Sequence, residues 1–511
     1  MIEKLLEGGG DLVERADVCV IGSGAGGAVA AAELAAAGRS VVVLEQGPYW
    51  TNADFTQRED QMLPRLFEDA GMRQTADGAV TILQGRNVGG STVHNLCYAF
   101  RTPGPIVDLW REEHGLDGFT REALEPSFGR VEANLRVKPI REDEVSPLNR
   151  RIRTGAEKLG YSGFVTRHNR ENCVKAGYCM LGCTYGAKQS MLVTYVPRAA
   201  AAGARIYADA RAERIEAEGG GVRRVLGSVV DSAGRVHGSV EVRARVVVLA
   251  AGAVNSPDLW LRSGLANGSG QVGRNLHLHP SVTVAGVWDE PLHAYRGIPQ
   301  SYYIDEFIDL ERNPHSGYVL MPISGFPVLT ALTLPGFGRR HFEQMRDYTG
   351  IGGLLVLLHD RSAGSVVPGS GVGRPEIRYA LTPHDRRLLA EGVRHCAEVL
   401  FAAGARRIVA PTLPGPLVLE RGDDLGALPS EIAAGEAPIA STHPQSTCRM
   451  GGDPRTSVVD AFGESHEVPG LFVADMSVFP TSLGAPPQIT TAALADRSAQ
   501  RILARWPELA G

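Results

Sequence analysis

The sequence has no run of lysine or arginine and no charge imbalance large enough to dictate a partner. Its 52 basic and 57 acidic side chains leave a formal net charge of -5 and a pI near 6.3. Without a basic footprint, nucleic acid is a poor partner. Long apolar stretches are missing too: the longest strongly apolar run, residues 246–254, falls far short of the roughly 20 residues that cross a bilayer. The first sixteen residues, MIEKLLEGGGDLVERA, carry charges throughout and lack the apolar core of about 7 to 15 residues that a secretory signal uses. Together these absences predict a soluble, cytoplasmic protein. Cysteine is scarce: seven in 511 residues make no disulfide framework, although Cys173, Cys179 and Cys183 fall within eleven residues. No internal repeat or low-complexity linker divides the chain.

What is present is the composition of a globular protein with ample core, 43% hydrophobic and 21% charged with 61 glycines. Residues 16–47 read ADVCVIGSGAGGAVAAAELAAAGRSVVVLEQG: a strand Val18–Ile21, a glycine turn, an alanine-rich helix and a second strand Val41–Leu44 ending at Glu45. This is the G-x-G-x-x-G fingerprint in its required setting. Gly22 makes the tight turn, Gly24 lets a pyrophosphate approach the backbone, and Gly27 lets helix and strand pack closely. The helix N-terminus offers unpaired N–H groups to phosphate, and Glu45, eighteen residues beyond Gly27, can accept from ribose hydroxyls. A bound dinucleotide follows; the fingerprint does not choose between FAD and NAD.

A second glycine-rich loop, QGRNVGGSTVHNLCYAFRTP, spans residues 84–103. Further on, a helix over 121–135, a helix and the strand Arg205–Ala208 within 194–211, and a β-meander over 221–248 broken at Asp231-Ser-Ala-Gly234 are expected. A buried strand over 246–251 leads through the turn at Gly252 into a short helix ending at Arg262. Segments rich in Tyr, Phe and Leu alternate over 285–380, and an amphipathic helix covers 383–403. The expected fold is α/β (α+β overall): a Rossmann-like domain assembled from discontinuous segments plus an inserted substrate domain with a mainly antiparallel sheet. The expected division assigns residues 1–105, 185–285 and 436–511 to the dinucleotide domain and 106–184 and 286–435 to the substrate domain.

Four separated motifs agree on one family. GSGAGG, GRNVGGSTVHN, VVVLAAGAVNSPDLWLRSG with VGRNLHLHP, and HPQSTCRMGGDPRTSVVD with GLFVADMSVFPT occur in that order between Val18 and Arg501. Together they resemble the glucose/methanol/choline (GMC) family of FAD-dependent oxidoreductases, which selects FAD over NAD. The resemblance implies a six-stranded substrate sheet and oxidation of an alcohol by hydride transfer to flavin N5. Its partners would be a small-molecule alcohol and oxygen or another electron acceptor. His443 stands where the family places its catalytic base, a role suited to an imidazole with an ordinary pKa near ~6.5. Without the resemblance it reads as an ordinary histidine ahead of the apolar strand 471–474. The resemblance also places Gly89, Gly90, Ser91, His94, Asn95, Ala251, Asp475 and Pro487 against the cofactor.

One departure stands out. The family sets a second polar residue, usually Asn or His, opposite the base, and the matching position here is Pro486, whose side chain can neither donate nor accept. Gln488 is the candidate substitute. His94 aligns with the histidine that is joined covalently to flavin in choline oxidase-like members; the alternative is a ring packed near the flavin edge. Cys173, Cys179 and Cys183 have a spacing similar to that of iron-sulfur ligands in some relatives, the alternative being buried structural thiols. Cys19, Cys97, Cys396 and Cys448 read as small core residues.

Three activities remain open on the sequence: an alcohol oxidase or dehydrogenase, a redox-neutral flavin-bearing lyase, and an idle flavoprotein. For the first, Asp305, Glu306, Asp309 and Glu311 suit a sugar, amino sugar or other polyol, the more ordinary reading of such a charge-rich stretch being a solvated face. The apolar stretch 321–334 suggests instead a long-chain, terpenoid or sterol alcohol.

Overall fold

The computed structural model describes residues 1–8, 10–219, 221–334, 336–433 and 435–510. Runs of β-branched residues without a polar break make strands that must be buried on both faces, and they build parallel sheets covered on each side. One such sheet forms the first half of the fold. Its strands are Ile2–Lys4, Arg205–Ala208, Val41–Leu44, Val18–Ile21, Val246–Leu249 and Leu471–Val473, in that spatial order and all parallel. Every residue of its four innermost-packed strands, VVVL, VCVI, VVVL and LFV, is buried. Helix Gly27–Ala36, buried along all but its last residue, covers the sheet and is itself packed against helix Gln488–Ala504.

Beside this sheet lies a meander of Ala210–Glu218, Gly221–Val230 and Val236–Arg243, with Leu12–Arg15 added in parallel. The sequence reveals the last two meander strands and the turn at Asp231, but not Ala210–Glu218. Register shifts within that strand break the alternation of buried and exposed residues that would announce it.

Among the described residues the second half is built on a sheet of nine strands, where the resemblance implied six. Its main path runs Leu417–Glu420, Arg407–Ala410, Ser281–Val287, Ile351–His359, Gly317–Ile323, Tyr302–Ile304 and Gly163–Val165, antiparallel throughout. Ile439–Ser441 and Val80–Ile82 pair off this path. Four of the nine strands are only three residues long, too short to show a period.

Period-two alternation sorts the central strands between two environments. Tyr318, Leu320, Leu354, Val356 and Leu358 join the core under helix Pro383–Ala402, whereas Val319, Met321, Leu355 and Leu357 join Tyr98 and Tyr303 on the opposite face. Two separate large apolar cores result, one per half. Strand Ser281–Val287 runs across the expected boundary at residue 285, and Val80–Ile82 and Ile439–Ser441 join the second sheet from stretches assigned to the first domain.

Candidate active site

The site lies in the cleft between the two sheets, which is partly open to solvent. At one end the walls are backbone. A Cβ at Gly27 would lie 2.0 Å from Gly22 O, and one at Gly26 only 1.6 Å from Ala474 O, so the helix can approach strands Val18–Ile21 and Leu471–Val473 only through glycine. Gly24 differs: nothing lies closer than 3.9 Å to where its Cβ would stand, and it lines the cleft. Packing does not demand that glycine, and a ligand close to the backbone would.

Ser23 ties the two glycine-rich loops together. Its hydroxyl donates to Glu45 Oε2 at 2.6 Å and accepts the Gly89 N–H at 3.0 Å. Glu45 also accepts the N–H groups of Ser23 and Gly47, and burial raises its pKa. Asp475 plays the matching part at the C-terminal strand. Its carboxylate accepts from the Gly252 N–H at 2.9 Å, the Ser256 hydroxyl and the Ser477 N–H, locking the turn at Ala251 and Gly252 against its own strand.

The cleft brings Gly22, Gly24, Glu45, Gly90, Ser91, His94, Asn95, Ala251, His443, Asp475, Pro487 and Gln488 together on its walls. Gly27 and Gly89 stand behind the walls: the first makes the helix contact, and the second donates to Ser23. Sequence reading missed Ser23, Gly26 and His279. The first two lie inside GSGAGG and the third inside VGRNLHLHP, so the signal was the motif itself, with each position's role set by contacts far away in sequence.

His94 is buried, its ring centroid 3.9 Å from that of Phe67, and its Nε2 is enclosed without a hydrogen-bond partner. Burial, with help from the Lys188 ammonium, pulls its pKa down to about 3, so the ring is neutral at pH 7. Asn95 accepts the Cys97 N–H on Oδ1 at 3.1 Å and donates through Nδ2 to Gln488 Oε1. Gln488 opens the helix Gln488–Ala504, and its Nε2 is buried with no acceptor among the described residues. An orphaned donor at a helix N-terminus on a cleft wall fits an acceptor atom of a bound group. Pro486 lines the same wall and contributes no polar side-chain atom.

His443 lines the cleft, between the strand Ile439–Ser441 and Pro444. Its Nδ1 is 3.2 Å from His279 Nδ1, with the two rings edge to face at 5.3 Å. The Gly484 N–H donates to His279 Nε2 at 3.2 Å, so a neutral His279 carries its proton on Nδ1 and gives that hydrogen bond to His443 Nδ1. A neutral His443 therefore presents Nε2–H to the cleft. Burial lowers the His443 pKa to about 4 and holds His279 well below its ordinary value. Leu96, Tyr98, Met180, Met321, Ile323, Leu355 and Leu357 make this end of the cleft apolar, with Thr283 and Gln300 among them.

The acidic side chains that suggested a polyol substrate lie elsewhere. Asp305 accepts from the Ser162 hydroxyl and Glu306 from the Ser162 N–H, Asp309 pairs with Arg312 at the surface, and none of these nor Glu311 lines the cleft. Cys173, Cys179 and Cys183 do not form a ligand set: among the described residues no group of three or more His, Cys, Asp or Glu side chains is placed to hold a metal ion. Cys97 is buried as expected and shares a thiol hydrogen bond with Cys179. Cys19, Cys396 and Cys448 are buried as expected.

Comparison with known proteins matches this architecture. Residues 63–281 and 361–495 fit the N- and C-terminal GMC oxidoreductase family models, and residues 20–65 fit an NAD(P)-binding Rossmann-like domain. An uncharacterized GMC-type oxidoreductase of Mycobacterium tuberculosis is 33% identical over 96% of this chain and 76% of its own length. A long-chain-alcohol oxidase of Arabidopsis thaliana is 29% identical over 96% of this chain and 68% of its own. Among solved structures, pyridoxine 4-oxidase from Mesorbium loti superposes with a TM-score of 0.72 at 21% identity, covering 96% of this chain and 99% of that one.

Proposed function

The chain belongs to the GMC oxidoreductases, flavoproteins that bind FAD, and on that premise we propose that it oxidises an apolar, long-chain alcohol to the aldehyde. The observation that carries this reading is the set of aliphatic and aromatic side chains, Leu96, Tyr98, Met321, Ile323, Leu355 and Leu357, that lines the cleft with His443. The similarity to a plant long-chain-alcohol oxidase supports it. Bound FAD supplies the hydride acceptor, and Gly22, Gly24, Glu45, Gly90, Ser91, Ala251, Asp475 and Pro487 would hold it.

In this reading His443 first binds the alcohol oxygen through Nε2–H. To take the hydroxyl proton, its own proton must move to Nδ1, which obliges His279 to accept there and to give up the Gly484 N–H. Leaving that amide unpaired costs about 1–3 kcal/mol, a modest toll against the ~10²–10⁴-fold that a positioned base contributes. Gln488 Nε2, an unpaired donor lining the same cleft, takes the place of the polar partner that Pro486 cannot supply. His94, neutral and with its Nε2 unpaired, is the residue that would hold the flavin if the cofactor is bound covalently. Flavin colour retained in an acid-precipitated pellet is the sign of that bond, and colour wholly in the supernatant removes it. A division into a dinucleotide half and a substrate half accords with the two large apolar cores, with the stretches 80–82, 281–287 and 439–441 counted to the second sheet rather than to the first domain.

The test is anaerobic mixing of the purified flavoprotein with a series of alcohols. Bleaching of the flavin by long-chain alcohols, and not by sugars or amino sugars, is the expected result; a flavin that stays oxidised with every alcohol would sink the proposal.

A further inference from the structure

Solvent-exposed large apolar side chains concentrate on one excursion of the substrate half. Between strands Gly317–Ile323 and Ile351–His359 the chain leaves the large sheet through two short helices, Pro327–Thr333 and Gly338–Met345. Four side chains there face water: Val328 is 47% exposed, Leu332 77%, Phe337 95% and Phe342 67%. Val328 and Leu332 stand one helical turn apart on one face. His341 Nε2 lies 2.8 Å from Ala331 O, which joins the two helices at the point where Leu332 and Phe342 follow in sequence. Isolated surface hydrophobes are ordinary, whereas four on one small unit mark a contact surface.

Arginines frame this patch. Arg339, Phe342 and Arg346 follow at helical spacing along one face of Gly338–Met345 and its C-terminal end, and Arg340 is exposed beside them; of the two acids here, Glu343 pairs with Arg339, and Asp347 pairs with Arg406 and Arg407 outside the unit. The base of the unit is fixed to the body of the protein. Phe326 is buried and stacks on Tyr178 at 5.2 Å, Tyr348 stacks on Tyr295 at 5.2 Å, and the Val328 and Leu329 N–H groups donate to the Glu59 carboxylate at 2.7 and 3.0 Å. The two strands that carry the excursion also place Met321, Ile323, Leu355 and Leu357 on the cleft wall.

We propose that this excursion is a membrane-docking surface, its apolar tips entering the acyl boundary of an anionic phospholipid bilayer while its arginines meet lipid phosphates. The pattern of apolar tips ringed by cations is that of an interfacial anchor. No helix among the described residues is long and apolar enough to cross a membrane, so the contact is with the surface. An anionic bilayer matches the excess of arginine over acid; a second copy of the same patch would set like charges against each other. The inference deepens the long-chain-alcohol reading and rests on it for its purpose, since such a substrate partitions into lipid and the docked unit adjoins the apolar wall of the cleft.

The experiment is co-sedimentation of the purified holoprotein with vesicles of mixed phosphatidylcholine and phosphatidylglycerol, and with vesicles of phosphatidylcholine alone. The wild type is expected to sediment with the mixed vesicles, and less as salt is raised. The double variant F337S/F342S should bind at least about tenfold more weakly, and R339E/R346E about fivefold or more, with the loss confined to anionic vesicles. All four side chains are exposed, so melting temperature and reduction of the flavin by a short, water-soluble alcohol should be unchanged. Absence of sedimentation, binding that the variants leave intact, or a dimer by light scattering that the phenylalanine changes dissolve would each overturn the proposal. Vesicle binding needs no turnover. Binding without flavin reduction by any alcohol condemns the substrate reading and keeps the surface, while reduction by dispersed long-chain alcohol without binding does the reverse.

Discussion

The two ends of the cleft are made from different materials. The cofactor end is backbone: consecutive glycines, two helix N-termini and two carboxylates that spend their oxygens on N–H groups. The substrate end is side chains, delivered by strands and loops from residues 95–98, 281–283, 321–323, 355–357 and 443, with chemistry that depends on which imidazole nitrogen holds a proton. Backbone tolerances are absolute, because a misplaced Cβ meets a carbonyl that cannot move. Side-chain chemistry is graded, because a lost hydrogen bond can be partly replaced by water.

That contrast predicts very unequal responses to substitution. Gly26→Ala puts a methyl 1.6 Å from Ala474 O, so the helix must separate from the strand at a cost of several kcal/mol. The purified variant should show little flavin absorbance and a collapsed melting temperature, and a normally yellow, stable protein would contradict the packing described. His443→Asn should keep its flavin and its melting temperature while anaerobic flavin reduction slows by about 10²–10⁴-fold. An undiminished rate would place the base elsewhere.

Acid probes both ends at once. His94 has a pKa lowered to about 3 and His443 to about 4, each chiefly by burial. A neutral histidine with a depressed folded-state pKa gives its full stability above the unfolded value of ~6.5 and loses it as pH falls toward the folded value, at about 1.4 kcal/mol per unit and per group. Denaturant midpoints should therefore hold above pH 6.5 and fall steadily below it; a flat profile down to pH 4 would mean these rings are not buried neutral.

His279→Asn addresses the proton chain. It should slow flavin reduction by roughly tenfold and displace the acid limb, which in the wild type is expected where His443 titrates near pH 4. A fall in melting temperature with an unmoved pH profile would reduce His279 to a packing residue. The mildest expected effect is that of Gln488→Ala, a few-fold loss in reduction rate, consistent with one unpaired donor; unchanged turnover would remove Gln488 from the site.

How much of this was legible follows from the same contrast. The turn Gly22–Gly24–Gly27, the strands VCVI and VVVL, and Glu45 were readable because a phosphate-binding turn imposes local spacing on one short stretch. The four buried strands were readable because a sheet covered on both faces leaves no polar position. Family membership came from motif order. The three-residue strands and Ala210–Glu218 were not readable, being too short or too bulged to carry a period, and for the carboxylates near 305–311 only the fold decided between a substrate site and a solvated face, because a charge-rich stretch does not say which way it faces.

The sequence by itself determined the dinucleotide turn, the discontinuous α/β plan and the candidate histidine, since each is written in residues that are neighbours in the chain. Only the tertiary structure decided that Ser23 bridges the two loops, that the cleft beside His443 is apolar, and that His279 sets its tautomer. Those facts depend on contacts between residues up to hundreds of positions apart, where packing in three dimensions, and not local preference, fixes which atoms meet.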